Sequence, residues 1–135
     1  MSAASNYLEN KLLDHTLGGT AFTQPSSLYL GLFTNDSANA ATNLEAGTLT
    51  DEISGGSYAR ETVAFSAASG GSASTSATVT FTAATANWGT ITHVAVLDAS
   101  SSGNVLFWGA VTTSKTIESG DTFQISSGNL TISLA

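Results

Sequence analysis

Trp88–Val111 reads WGTITHVAVLDASSSGNVLFWGAV: two apolar runs, Ile91–Leu97 and Val105–Val111, separated by the polar cluster Asp98–Asn104. Both runs are rich in the β-branched and aromatic side chains that suit a pleated surface, and the cluster between them is turn material, so the stretch predicts a central β-hairpin. Apolar residues fall at odd and even positions alike: Ile91, Ala95 and Leu97 against Val94 and Val96, then Val105 and Phe107 against Leu106 and Trp108. A strand covered on one face alternates cleanly, whereas this pattern asks for cover on both faces. One cover is expected from a second sheet. The other falls either to an amino-terminal helix or to a neighbouring subunit.

Around the hairpin, strand-like segments recur at roughly 8–12-residue spacing. Leu28–Thr34 places Leu28, Leu30 and Leu32 on one face and Tyr29 and Phe33 on the other, with Gly31 marking a close approach or a bulge. Tyr58–Ser66, Thr78–Thr82, Thr116–Glu118, Thr122–Ile125 and a final strand bearing Leu130, Ile132 and Leu134 follow the same habit. The predicted fold class is all-β, an antiparallel sandwich or jelly-roll-like domain spanning residues 1–135, with one short amino-terminal helix.

That helix is expected over about residues 6–17, NYLENKLLDHTL. Asn6 would cap it, Glu9 would complete a capping box, and Gly18 and Gly19 would end it. Leu8, Leu12, Leu13 and Leu17 form its apolar face and are candidate subunit-interface residues. So short a helix is marginal alone and must dock on its own sheet or on a neighbour. Residues 35–57 carry few apolar anchors and four acids, Asp36, Glu45, Asp51 and Glu52, and read as a variable contact loop.

Composition narrows the function classes. Charged residues make up 10% of the chain, the net charge is −7, and Lys11, Arg60 and Lys115 are its three cations. Three scattered cations cannot neutralise a run of phosphates, so neither nucleic acid nor an anionic membrane is an expected partner. With no cysteine there is no disulfide framework or thiolate metal site. No basic-then-apolar leader and no apolar run of membrane-spanning length is present, so a soluble protein is expected. Charge is replaced by 20 Ser, 20 Thr and 13 Gly. Small hydroxyl side chains lose little rotamer entropy when another protein covers them.

Chemistry has few parts to work with. His15 and His93 are the two histidines, and no G-x-S-x-G element accompanies them. His93, inside a strand, reads as structural, and His15 as a surface or interface group. The ten carboxylates never take calcium-loop spacing, and Asp51 with Glu52 reads as a pair of solvated loop acids. No catalytic, cofactor or metal residues are expected. Tyr58 and Trp88 are candidate ligand or partner contacts, with core packing as the alternative for each, and Trp108 is expected in the core.

The segments SNYLENKLLDHTLGGTAFTQPSSLYLGLFTND (5–36), GGSYARETVAF (55–65), FTAATANWGTITHVAVLDASSSGNVLFWGAVTTSKTI (81–117) and SGDTFQISSGNLTISL (119–134) resemble a family of small tailed-bacteriophage virion proteins commonly labelled phage tail fibre protein. The resemblance implies a non-enzymatic virion component on the particle surface, assembled in the host cytoplasm. A free-standing fibre needs a heptad or repeating β shaft, and neither repeat is present. The expected role is therefore a capsid decoration or cement protein, a symmetric homo-oligomer with a trimer favoured, bound to the major capsid protein. The alternative is a compact knob on a tail or baseplate protein that binds a host receptor or glycan.

Overall fold

In the computed structural model, which describes residues 3–134, the two apolar runs of Trp88–Val111 pair antiparallel within a five-stranded sheet. The elements in chain order are β1 (Ala3–Ala4), α1 (Asn6–Thr16), β2 (Tyr29–Phe33), α2 (Ala40–Glu45), β3 (Glu61–Thr62), β4 (Ser72–Ser74), β5 (Val79–Thr80), β6 (Gly89–Leu97), β7 (Val105–Ile117), β8 (Gln124–Ile125) and β9 (Thr131–Ser133). The large sheet has the order β1-β7-β6-β2-β3, and β4–β9 and β5–β8 form two separate two-stranded ladders. All pairs are antiparallel, so the all-β antiparallel class holds. The layer opposite the large sheet consists of these two short ladders and their loops.

Both faces of the hairpin are covered, and each cover comes from this chain. On one face, Leu30, Leu32, Ile91, Val94 and Val96 pack against Val63, Val79, Phe81, Phe123 and Ile132 from the small ladders and their flanks. On the other, Phe33, Ala95, Leu97 and Val105 pack against Leu44 of α2, with Leu49 and Trp108 alongside. The second cover is thus the 35–57 segment, read from the sequence as a variable contact loop. Leu44 is 1% exposed, and two backbone bonds tie the segment's end to the end of β2: the Thr34 N–H donates to the Asp51 carbonyl (3.0 Å) and the Ile53 N–H to the Leu32 carbonyl (3.1 Å).

Two register shifts change the expected facing. One lies between Val96 and Leu97, whose partners are Phe107 and Val105. Leu106 is the extra residue, so Phe107 turns to the first face while Val105 and Trp108 stay with the second. The other lies between Ile91, opposite Lys115, and His93, opposite Ala110. It sends Ile91 to the face of Val94 and Val96 rather than that of Ala95 and Leu97. Beyond it β7 runs on to Ile117, absorbing the separate strand expected at Thr116–Glu118.

The helix α1 docks on its own sheet. Leu8 packs on Ala4 and Leu106, with Leu12 partly buried beside them, while Leu13 is 55% and Leu17 79% exposed. Its cap is Ser5 rather than Asn6. The fully buried Ser5 hydroxyl donates to the Val105 carbonyl and accepts from the Leu8 N–H at 3.3 Å, and its own N–H donates to the Leu106 carbonyl at 2.9 Å. One hydroxyl therefore caps the helix and joins it to β7. Replacing Ser5 with Ala is expected to cost about 1–2 kcal/mol, because the cap and the partner of a buried carbonyl are lost together. Urea denaturation checks this, and an unchanged midpoint would contradict the coupling.

Candidate functional site

Tyr58 and Trp88 do come together, with ring centroids 5.5 Å apart in an edge-on arrangement, but they form core rather than a surface platform. Trp88 is 6% exposed and its Nε1 donates to the Gly56 carbonyl at 2.9 Å. Gly56 has φ +58°, and a Cβ there would lie 2.8 Å from the Trp88 Nε1, so glycine is what lets the indole close on this turn. Tyr58 stacks on Phe81 at 6.2 Å and is partly buried. Of the two readings of Trp88, contact residue or core packing, its burial fits the second, with the ring lying against the 55–58 turn.

The Tyr58 hydroxyl leads into a polar network. It donates to Glu52 Oε2 (2.9 Å) and accepts from the Leu32 N–H (3.0 Å). Arg60 grips the same carboxylate with two bonds, Nε to Oε2 and Nη2 to Oε1, both 2.7 Å. Its Nη1 donates to the Ala99 (2.7 Å) and Ser102 (2.9 Å) carbonyls in the β6–β7 turn. Burial disfavours the guanidinium charge, but hydrogen bonding to Glu52 and the Glu52 charge outweigh it, and the Arg60 pKa is raised. Burial, reinforced by the Glu52 charge, pushes the Tyr58 phenol well above its ordinary value, so it stays protonated and able to donate.

Four other carboxylates are similarly engaged. Asp51, 7% exposed, accepts from the Ser37 N–H (3.1 Å) and hydroxyl (2.6 Å). Asp98 closes the hairpin turn by accepting from the Asn104 N–H (2.7 Å) and side-chain amide (2.9 Å). Glu45 accepts from Trp108 Nε1 at 2.7 Å, and Asp121 from the Glu118 N–H at 2.9 Å. Asp51 and Glu52 are therefore not solvated loop acids. Asp51 anchors the segment that covers the second sheet face, and Glu52 neutralises a buried guanidinium. Among the described residues no group of three or more His, Asp or Glu could hold a metal ion.

His93 is half-buried beside Trp108, its Nδ1 2.8 Å from the Thr92 hydroxyl. Burial lowers its pKa from the ordinary 6.5, with the Asp51 charge acting in the opposite direction. The folded protein therefore binds fewer protons at His93 than the unfolded chain does just below pH 6.5. Stability is expected to fall as pH drops through that value, and His93→Gln should flatten the profile. Thermal unfolding between pH 7.5 and 5.5 at constant ionic strength measures both; an identical slope in the variant would remove His93 as the cause.

Of the four leucines expected at a subunit interface, Leu8 is consumed by the chain's own sheet, Leu12 is partly so, and Leu13 and Leu17 remain exposed. Two concavities flank the sheet. A carbon-lined cleft of about 410 Å³ lies between α1, the 22–28 connection and β4–β9. A larger groove of about 670 Å³ lies between the far half of β7 and residues 122–132. Among its polar residues, Lys115, Gln124 and Asn129 were not linked to one another in the sequence, since they occupy separate exposed turns and strands with no motif joining them.

The sheet order and antiparallel pairing define an all-β domain. Residues 3–133 match the family described as Podophage GP4 fiber I protein gp80, and the chain belongs to that family. It is a phage fibre-type protein with a structural role in the virion. No curated protein matches it.

Proposed function

We propose that this chain is a non-enzymatic, tail-attached knob of the fibre type, exposed on the virion surface and able to engage a host receptor or glycan. The observation that carries this reading is the match of residues 3–133 to a fibre family, which favours the tail over the capsid decoration role expected from compactness and low charge. The non-enzymatic reading draws support from the carboxylates: Glu45, Asp51, Glu52, Asp98 and Asp121 are all held by this chain's own donors. Self-association, with a trimer expected, has Leu13, Leu17 and Leu134 as its exposed large apolar side chains among the described residues. Light scattering reads the oligomer mass. Cryo-electron microscopy of the particle reads position: copies at the tail are expected, and copies arrayed over the head lattice would overturn the fibre reading and restore capsid decoration.

A further inference from the structure

We propose that the groove between β7 and residues 122–132 is a binding site for an acidic saccharide, a ring-bearing polyol carrying a carboxylate. Three observations meet there. The first is charge. The chain has ten carboxylates and a net charge of −7, yet no Asp or Glu lines this groove. Of the three cations, Arg60 is buried against Glu52, and Lys11 lies 5.7 Å from the centre of the Tyr7 ring. Lys115 lies in the groove and is exposed, and its ammonium has no hydrogen-bond or ion-pair partner among the described residues. An anion meets no repulsion from the lining and finds one free ammonium to bond.

The second is the arrangement of polar and apolar groups. Phe107, Val111 and Leu130 are partly buried and supply carbon surface in the groove, while the exposed Gln124 and Asn129 amides have no partner among the described residues. A primary amide offers donor and acceptor side by side, which suits adjacent hydroxyls, and carbon surface suits the C–H face of a sugar ring. The third is the shape of β7. Between Ala110 and Lys115, which face His93 and Ile91, four residues (111–114) stand opposite Thr92 alone. This bulge breaks the regular spacing of main-chain groups that an acidic peptide would need to add as a strand, which favours the saccharide.

This deepens the fibre reading and rests on it only for the setting in which such a ligand is met. The test titrates the purified full chain with galacturonate oligomers and sialyl-lactose, with cellohexaose and lactose as neutral counterparts and an oligoglutamate peptide as the other acidic ligand. Calorimetry or NMR shift perturbation gives the affinity. Saturable binding of an acidic sugar is expected, weakened roughly tenfold by Lys115→Gln, the loss of one charge-assisted bond. Gln124→Ala and Asn129→Ala should weaken acidic and neutral sugars together. All three side chains are exposed, so an unchanged melting temperature is the control for folding. No binding by a folded protein, binding indifferent to Lys115→Gln, or preference for the peptide would each overturn the proposal. None of these outcomes bears on tail or head position, which the particle image decides separately.

Discussion

Replacing Arg60 with Met is expected to lower the unfolding free energy by about 3–5 kcal/mol. The Arg60 side chain is 2% exposed and its partner Glu52 16%, so the variant leaves a carboxylate out of water with only the Tyr58 hydroxyl and no cation. It also strips the Ala99 and Ser102 carbonyls of their shared donor and so releases the β6–β7 turn. Adding Glu52→Gln removes the stranded charge, and the double variant should lose less than the sum of the two single variants. A double-mutant cycle by urea denaturation measures both. A loss under about 1 kcal/mol for Arg60→Met, the range of an exposed pair, would mean that water reaches the site.

Phe81→Ala is expected to cost a similar amount, about 3–5 kcal/mol, by a different route. Phe81 is 1% exposed and lies between Tyr58, stacked at 6.2 Å, and Phe123, edge-on at 5.8 Å. It follows β5, a strand of two residues, and its N–H donates to the Phe123 carbonyl at 2.9 Å. So short a ladder brings few hydrogen bonds of its own, and its place depends on the aromatic contact between layers. The cavity would sit where the small ladders meet the sheet, with little regular backbone nearby to hold its shape. The expected signature is a lower midpoint in urea denaturation together with a steeper loss of hydrogen-exchange protection in residues 79–81 and 123–125 than in β6. Uniform loss of protection would show that the ladder does not yield independently.

The elements legible in the sequence were those whose signal is local. The β2 alternation of Leu30 and Leu32 against Phe33, the apolar runs of β6 and β7, and the helix after residue 5 rest on short-range pattern and appear where expected. The facing of Ile91 and Phe107 was not legible, because a bulge is set by the partner strand and leaves no mark in its own run. The helix α2, AATNLE, is too short to show a period, and a single leucine, Leu44, seats it on the sheet. Asp51 and Glu52 looked like surface acids because isolated carboxylates usually are. Their burial follows from where the chain brings Ser37 and Arg60, which spacing does not disclose. Trp88, next to Gly89 at a strand start, had no flanking apolar run to mark it as core, and the groove residues are joined only by the fold.

Ser5 and Val105, bonded to one another, stand 100 residues apart, and β1 pairs with residues 107 and 108. On the ribosome the amino-terminal segment is therefore made first and seated late. Its cap partner and the strand beside it leave the exit tunnel only when most of the chain has been synthesised. Until then Leu8 and Leu12 travel on a nascent chain without their sheet, as part of a helix too short to persist alone. Topology of this kind, with its closing contact between distant parts of the chain, slows the last step of folding. The segment that finishes the domain is the one the cell must wait longest to place.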